Sequence, residues 1–304
     1  MSQDLIVVSG ASGLIGTALV SALRADGFEV KKLVRRRVQE SDEIAWDPLK
    51  SLLNPDELSG AHAVVNLSGA SVAKLPWTVE YRRELLKSRV RATNTLTQAI
   101  ARADEAPRVL LNASAGGIYG DRPGELLTER AHPDEHTFLG KLVERWEKAA
   151  QLASPYCRVV TMRNATILAA GKGGLAPFEF LTKMYLGLTV GGKQHWPWIS
   201  LHDEVRAIRH LMDSKLNGPV NMVAPEQNTM AEIMHLLAES LHRPSFFRVP
   251  KSFAGFIGEG GKELMSYDQA MVPEKLLADG FIFEDASLEK AFARIYPVAP
   301  REMH

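Results

Sequence analysis

Short apolar segments alternate with longer segments of helical periodicity through the first half of the chain. The first apolar run, residues 5–8, is followed by a segment in which Leu14, Leu19 and Leu23 recur at helical spacing. Further apolar strands are predicted at 28–34, 61–67, 109–112 and 158–163, with helices at 78–102 and 136–152. Continuous apolar strands separated by amphipathic helices are typical of a parallel sheet covered on both faces. The pattern therefore predicts an α/β protein with a doubly wound parallel sheet.

The alternation loosens after residue 165. Glycine-rich segments at 171–174 and 191–192 precede a short apolar helix and an aromatic run, and both suit either a cleft wall or a surface loop. A helix near 202–215 and a strand at 220–222 are expected to return to the sheet. The predicted division is a sheet domain of residues 1–170, with 198–223 returning to it, and a smaller α/β cap of residues 171–197 and 224–304.

A glycine-rich turn, residues 9–16, joins the first strand to the first helix, with glycines at 10, 13 and 16. A strand, a glycine turn and a helix in this order favour a diphosphate site, because glycine leaves room for phosphate and the helix N-terminus offers free N–H groups. The usual dinucleotide fingerprint separates its first two glycines by one residue only. A purely structural turn is therefore the alternative.

Three arginines, Arg35 to Arg37, end the second predicted strand. In a nucleotide-binding βαβ unit this position faces the adenosine ribose. Arginine forms bidentate charge-assisted bonds to a 2′-phosphate, each contributing about 1.5–3 kcal/mol. The position therefore predicts NADP rather than NAD, with a solvated basic turn as the alternative.

Composition and charge exclude several classes of function. The 304 residues have a formal net charge of +0 and 45% hydrophobic content, which indicates no surface for nucleic acid or membranes. No apolar run reaches membrane-spanning length, and the N-terminus shows no secretory leader. Cys157 is the single cysteine and cannot form an internal disulfide, which fits a reducing compartment. We expect a cytoplasmic protein and assign no metal site.

Several motifs together are specific to one group of proteins. They are residues 9–16, 46–48, 66–70, 77, 88–90, 114–121, 146–147, 198–199 with 203, 221–225, and 272–273 with 280–281. With these motifs, nearly the whole chain resembles the extended short-chain dehydrogenase/reductase superfamily. Within it, the chain looks like the nucleoside-diphosphate-sugar epimerase-like branch, also labelled cell-division-inhibitor-like.

The resemblance implies a Rossmann domain that binds NADP, and a cap that encloses a small-molecule substrate in the cleft between the two domains. It implies that Gly10, Ser12, Gly13, Leu14 and Ile15 line the diphosphate. It further implies Arg35 at the 2′-phosphate, Leu67, Ser68 and Gly69 along the cofactor, and Ser114 beside the nicotinamide. Relatives often form homodimers through two long helices, which here are the helices predicted at 78–102 and 136–152.

The catalytic pattern of the superfamily is missing from this sequence. Active members use a tyrosine four residues before a lysine, and the lysine lowers the pKa of the tyrosine so that it acts as an acid–base group. None of the six tyrosines here has a lysine four positions later. Thr137 lies four residues before Lys141, but a threonine hydroxyl does not ionise usefully near neutral pH. We do not treat this pair as an equivalent dyad.

Other residues are candidates for the missing chemistry. Ser114 would hydrogen-bond the reacting oxygen, and Tyr119 would replace the missing acid, with packing at the strand–loop junction as its alternative. His195 could titrate in the working range, although a loop histidine is more often simply exposed. Ser200 and His202 stand where relatives of the branch often have histidine and aspartate, so no role is carried over to them. Ser114 and Tyr119 are the catalytic candidates.

Two functions follow from this combination of a cofactor loop and a missing dyad. The first is an NADP(H)-binding, epimerase-like oxidoreductase that acts on a small polar substrate, for which a nucleotide-linked sugar is one option. The alternative is a non-catalytic NADP(H)-binding sensor or regulatory protein, because a fold does not by itself imply a function. A division regulator that binds DNA or membranes lacks a basic stripe or an amphipathic anchor in the sequence.

Overall fold

The computed structural model of the chain describes residues 4–244, 247–256 and 258–297. Its strands are β1 (Leu5–Ser9), β2 (Glu29–Val34), β3 (Glu43–Ala45), β4 (Ala63–Asn66), β5 (Val109–Ala115), β6 (Leu126–Leu127), β7 (Arg158–Asn164), β8 (Thr166–Ala169), β9 (Lys172–Gly173), β10 (Leu188–Val190), β11 (Trp198–Ser200), β12 (Gly218–Met222), β13 (Phe247–Val249) and β14 (Ala270–Met271). Its α-helices are α1 (Leu14–Ala25), α2 (Val79–Ile100), α3 (Phe138–Gln151), α4 (Ala176–Lys183), α5 (Leu201–Asp213), α6 (Met230–Ser240), α7 (Phe253–Phe256), α8 (Glu259–Met265), α9 (Glu274–Ala278) and α10 (Leu288–Ile295).

The central sheet has seven strands in the order β3-β2-β1-β4-β5-β7-β12, and each neighbouring pair is parallel. The order reverses between β1 and β4, which defines the switch point where ligands bind in open α/β sheets. In this register Ser9 lies opposite Asn66, and Asn66 lies opposite Asn112. The α/β class and the Rossmann-like, doubly wound parallel sheet predicted from the sequence are confirmed.

Apolar residues alternate between the two faces of the sheet, and each face is covered by helices. On one face, helices α1 and α5 pack against a buried cluster that includes Val8, Val65, Leu111, Val160, Leu19 and Ile208. On the other face lie α2, α3 and a cluster that includes Val7, Val64, Leu110, Val159, Leu96 and Ala150. Strands that are buried on both faces need apolar residues at every position, which explains the continuous apolar runs in the sequence.

Two features of the sheet differ from the predicted pattern. Strand β3 was not predicted, and it extends the sheet beyond β2. Strand β5 continues to Ala115, three residues past the predicted end, because its last residues pair with β7 up to Asn164. The longer strand brings Ser114 to the carboxyl edge of the sheet as a strand residue.

The second half of the chain forms smaller units beside this edge. Strand β8 pairs with β11 and β9, β10 pairs with β13, and β6 pairs with β14. Helices α6 and α10, in the predicted cap region, contribute to an apolar cluster with Trp196 and Trp198. Within the described ranges, no helix is both long enough and apolar enough to cross a membrane.

Buried polar side chains join the strand ends at the switch point. Asn66 accepts a hydrogen bond from Ser9 Oγ at 2.6 Å and donates to Asn112 Oδ1 at 2.6 Å. From α2, Thr93 Oγ1 accepts from Asn66 Nδ2 and from Trp146 Nε1, both at 3.0 Å. All of these side chains are buried, so each hydrogen bond replaces one that water would otherwise supply. The network fixes the relative positions of β1, β4 and β5.

Replacing Thr93 by valine removes the shared acceptor and leaves the buried Trp146 Nε1–H without its partner. We expect Thr93→Val to lower the free energy of unfolding by about 1–3 kcal/mol, measured by urea titration. Thr97→Val is the matched control, because the hydroxyl of buried Thr97 bonds the Asn94 carbonyl of its own helix. Equal stability of the two variants would contradict a role of the network in holding the strand ends.

Candidate functional site

Two of the three glycines in the turn after β1 are required by the chain itself. Gly10 has φ +71°, and a Cβ there would lie 2.6 Å from the Leu67 carbonyl oxygen. A Cβ on Gly16 would collide with the backbone of Gly10 and Ala11. These two glycines therefore allow the turn to pack closely on the loop after β4 and on its own helix.

Gly13 is less constrained by the chain than Gly10 and Gly16. Its φ of −76° and ψ of 175° suit any residue, and its nearest clash would be Gly10 O at 3.3 Å. It is the N-cap of α1, yet no side chain caps this helix, and Ser12 and Gly13 are exposed. The open space and the uncapped N–H groups of the first turn fit an anionic ligand at this end of the helix.

The loop after β4 lies directly beside this turn. Leu67 N donates to Ser9 O at 3.1 Å, and Ser68 Oγ donates to Ser9 Oγ at 3.0 Å. On its other side, a Cβ on Gly69 would come within 3.0 Å of the Arg89 guanidinium carbon. The structure thus brings Gly10 and the segment 67–69 together, as expected for residues that line one elongated ligand.

Arg89 of α2 is a buried cation at this loop. Within the described residues, the only hydrogen bond of its guanidinium goes to Leu85 O, at 3.0 Å. Burial lowers the pKa of Arg89 to about 10, and the guanidinium stacks on the Trp146 ring at 5.0 Å. A buried guanidinium without a carboxylate partner is costly unless an anion completes it. Arg89 therefore fits a phosphate of a ligand bound along Gly69.

The three arginines after β2 have different surroundings. Arg36 forms a bidentate pair with Glu43 at 2.6 and 2.8 Å, and this pair holds the pKa of Glu43 at about 2. Arg35 is exposed and forms no ion pair within the described part of the chain. It directly follows Val34, the last residue of β2 beside β1. Arg35 and Arg37 are thus both free of ion pairs among the described residues, and Arg35 is the one next to the strand end.

Ser114 lies in a buried cluster at the ends of β5 and β7. Its Oγ donates to Glu147 Oε1 of α3 at 2.6 Å. Arg163 of β7 donates to both oxygens of the same carboxylate, at 2.9 and 3.0 Å. Ser114 is 4% exposed. The predicted Ser114 is therefore at the expected edge of the sheet, with its hydroxyl engaged by a carboxylate.

Tyr119 lies below this cluster and not in an open cleft. Its side chain is 0% exposed, and its hydroxyl donates to Asn221 Oδ1 at 2.6 Å while accepting from Arg163 Nη1 at 2.9 Å. Burial raises the pKa of Tyr119, although Arg163 opposes this effect. The contacts favour the packing alternative for Tyr119, and its role as an acid stays a prediction.

The position of the missing dyad is occupied by capping interactions. Thr137 is the N-cap of α3, and its Oγ1 accepts from Gly140 N at 3.1 Å. Glu263 of α8 accepts from Phe138 N and Leu139 N, both at 2.9 Å. Burial raises the pKa of Glu263. The hydroxyl of Thr137 is thus used to begin the helix, which agrees with rejecting it as a catalytic residue.

His195 and His202 form separate pairs. His195 is paired through Nδ1 with Asp268 at 2.8 Å, and Asp268 also accepts the His195 backbone N–H. His202 pairs with Glu284 at 2.7 Å, while Ser200 caps α5. No group of three or more His, Cys, Asp or Glu side chains that could hold a metal ion occurs in the described ranges.

Three residues of the site were not identified as functional from the sequence. Arg89 and Glu147 lie within the motifs at residues 88–90 and 146–147. The helical pattern of these segments does not indicate that either side chain contacts a ligand. Arg163 follows four buried residues of β7. A charge at the carboxyl end of an apolar strand could have identified Arg163. No local sequence pattern indicates that Arg163 pairs with Glu147.

The fold and this geometry agree with a comparison to known protein families. The chain belongs to the NAD-dependent epimerase/dehydratase family, whose family model matches residues 6–223. The matched residues cover β1 to β12 except Leu5, and they leave out Glu263, Asp268 and Glu284.

Individual relatives extend the match over the full chain. An epimerase family protein of Mycobacterium bovis is 34% identical over 295 residues, which cover 96% of this chain and 97% of the relative. Human epimerase family protein SDR39U1, crystallised with NADPH, is 27% identical, with a TM-score of 0.88 over 96% of this chain and 99% of that chain. The nucleoside-diphosphate sugar epimerase from Corynebacterium glutamicum is 27% identical, with a TM-score of 0.78 over 97% and 58% of the two chains. The predicted membership of the epimerase-like branch is confirmed.

The burial of Tyr119 leads to a measurable expectation. Tyr119→Phe should lower the free energy of unfolding by about 1–3 kcal/mol, because Asn221 Oδ1 and an Arg163 N–H lose a buried partner. Urea unfolding measures the change, with Tyr156→Phe as the control because Tyr156 is 51% exposed. A Tyr119→Phe variant as stable as the control would argue against the packing role.

Proposed function

We propose that the protein is an NADP(H)-dependent, epimerase-like oxidoreductase that acts on a small polar substrate at the carboxyl edge of the sheet. The observation that carries the proposal is the uncapped N-terminus of α1 at Gly13, next to the switch point between β1 and β4. When bound, the nicotinamide cofactor supplies or accepts a hydride. The presence of NADPH in the crystal structure of the human relative supports this choice of cofactor.

The cofactor would lie along the residues that the chain leaves open. The backbone N–H groups of Leu14 and Ile15, beside Gly13, would bind the diphosphate, with Arg89 supplying a positive charge from the other side of Gly69. Gly10, Ser12 and Gly13 would border the same phosphates, and the segment 67–69 would pass along the cofactor. Each of these roles rests on an exposed backbone, a missing Cβ or an unpaired cation.

The preference for NADP over NAD would come from Arg35. Its guanidinium is exposed at the end of β2, whereas that of Arg36 is held by Glu43. A free arginine at the ribose position forms charge-assisted hydrogen bonds to the 2′-phosphate of NADP. It forms no interaction of comparable strength with the 2′-hydroxyl of NAD.

The substrate would meet the cofactor near Ser114. The carbonyl oxygen of the Asn164 side chain, at the end of β7, is buried and has no hydrogen-bond partner within the residues described. An unsatisfied buried acceptor at this strand end, one residue after the Arg163 that lies opposite Ser114, suits a ligand that brings a hydroxyl or amide N–H group. We therefore propose a polar substrate with hydrogen-bond donors, for which a nucleotide-linked sugar is one option. Its cleft would be covered by a cap of residues 171–197 and 224–304, opposite a sheet domain of 1–170 with 198–223.

A non-catalytic NADP(H)-binding sensor is the second candidate. It is favoured by one observation, that Thr137, four residues before Lys141, uses its hydroxyl to cap α3. In that case the cofactor site would be the same, and no substrate would be turned over.

Two broader proposals accompany the function. A cytoplasmic location is supported by the lone Cys157, which is partly buried and whose pKa is raised to about 11 by burial, so the thiol is unreactive. A homodimer through α2 and α3 is supported by the contact of these two helices side by side on one face of the sheet. Sedimentation of the purified protein would test the dimer.

Cofactor affinity tests the proposed function directly. We expect NADPH to bind at least about tenfold more tightly than NADH, because the bonds from Arg35 to the 2′-phosphate exist only for NADPH. Arg35→Ala should remove this preference and leave the affinity for NADH unchanged, as measured by calorimetry. Arg130→Ala is the control, since Arg130 is exposed and pairs with Glu274. Equal dissociation constants of wild type for the two cofactors would contradict the proposal.

A further inference from the structure

The hydroxyl proton of Ser114 has a defined direction. Glu147 accepts the Ser114 hydroxyl and two N–H groups of Arg163, and an ionised carboxylate only accepts hydrogen bonds. The single proton of Ser114 therefore points to Glu147. Only the lone pairs of Ser114 Oγ remain for a ligand.

The carboxylate cannot easily turn away from Ser114. The Arg163 side chain is 5% exposed, and its Nη1 also donates to Tyr119 OH at 2.9 Å and to Glu129 O at 3.4 Å. The guanidinium stacks on the Tyr119 ring at 5.1 Å. Contacts on both sides thus fix the plane of the guanidinium, and its bidentate pair with Glu147 fixes the carboxylate.

The geometry points to a proton relay from the substrate through Ser114 Oγ to Glu147, in place of the absent tyrosine–lysine dyad. In this relay Ser114 is the group that touches the substrate, Glu147 is the terminal proton acceptor or donor, and Arg163 is a positioning residue. The inference rests on the proposed function, because it needs a substrate at Ser114 and a nicotinamide cofactor as hydride partner.

The relay balances in both directions. In alcohol oxidation, the substrate C–H bond breaks and its electron pair leaves as hydride to the oxidised cofactor. The hydroxyl proton of the substrate passes to Ser114 Oγ while the Ser114 proton passes to Glu147, and a C=O bond forms. In carbonyl reduction, hydride from the reduced cofactor adds to carbon. Ser114 then protonates the oxygen and recovers its proton from neutral Glu147.

The relay makes ligand binding depend on the protonation state of Glu147. With ionised Glu147, Ser114 can only accept, so it binds an alcohol. A carbonyl oxygen also only accepts, so Ser114 can donate to it only when Glu147 carries a proton. The charged or titratable groups described around this carboxylate are Arg163 and, on the far side of Arg163, Tyr119 and Glu129.

The test uses the full chain with NADPH and isatin, a small cyclic 1,2-dicarbonyl compound. We expect wild type to reduce isatin with a rate that falls as pH rises, because neutral Glu147 becomes rarer. Ser114→Ala, which leaves the Glu147–Arg163 pair intact, should lower the rate at least about 100-fold. Glu147→Gln should lower it similarly and remove the pH dependence, with NADPH affinity unchanged in both variants. Glu144→Gln is the matched control, since Glu144 lies on the same helix and pairs with Lys148.

A second measurement needs no turnover. With NADP⁺ bound, no hydride is available for isatin, so binding alone is observed. Calorimetry in two buffers of different ionisation enthalpy should detect proton uptake when isatin binds to wild type and to Glu144→Gln. It should detect none with Glu147→Gln.

Failure of the relay is distinguishable from failure of the proposed function. The relay is overturned if Ser114→Ala or Glu147→Gln keeps the wild-type rate and pH profile, or if isatin binds without proton uptake. It is also overturned if wild type binds NADPH yet does not reduce isatin, because an intact proton donor should protonate the carbonyl oxygen of this small compound. Absence of NADPH binding by wild type would instead contradict the proposed function itself.

Discussion

The amide of Asn66 holds together the edge on which the rest of the structure depends. It joins β4 to β1 through Ser9, to β5 through Asn112 and to α2 through Thr93. In a parallel sheet all carboxyl ends meet at one edge, so polar residues there are buried beside one another and must be satisfied. The same edge then carries the ligand loops, because their starting points are fixed by this network.

Electrostatics divides this edge into two regions with different tasks. On the β1 and β2 side, positive groups have no carboxylate partner among the described residues: the helix N-terminus at Gly13, exposed Arg35 and buried Arg89. On the β5 and β7 side, the cation Arg163 is neutralised by Glu147. Unpaired positive charge fits phosphates, whereas a neutralised pair beside Ser114 fits an uncharged reacting group. The arrangement therefore matches a cofactor that is anionic at one end only.

Much of the fold and half of the site could be predicted from the sequence. The sheet and the turn at Gly10 follow from apolar runs and glycine spacing, which are local patterns. The environments of Arg89, Glu147 and Tyr119 could not be predicted, because each depends on residues brought together by packing between separate elements. Arg163 is 16 residues from Glu147, and Tyr119 is 102 residues from Asn221. The burial of Tyr119 in particular is a tertiary property.

The central claim is that NADP(H) binds across the switch point, along the turn at residues 10–16 and the loop at residues 67–69. Hydrogen–deuterium exchange of the full chain, with and without saturating NADP⁺, tests it most directly. The account predicts that exchange slows at the backbone amides of these two segments and at the start of α1. Protection confined to other segments, or no change at residues 10–16 while NADP⁺ is bound, would contradict it.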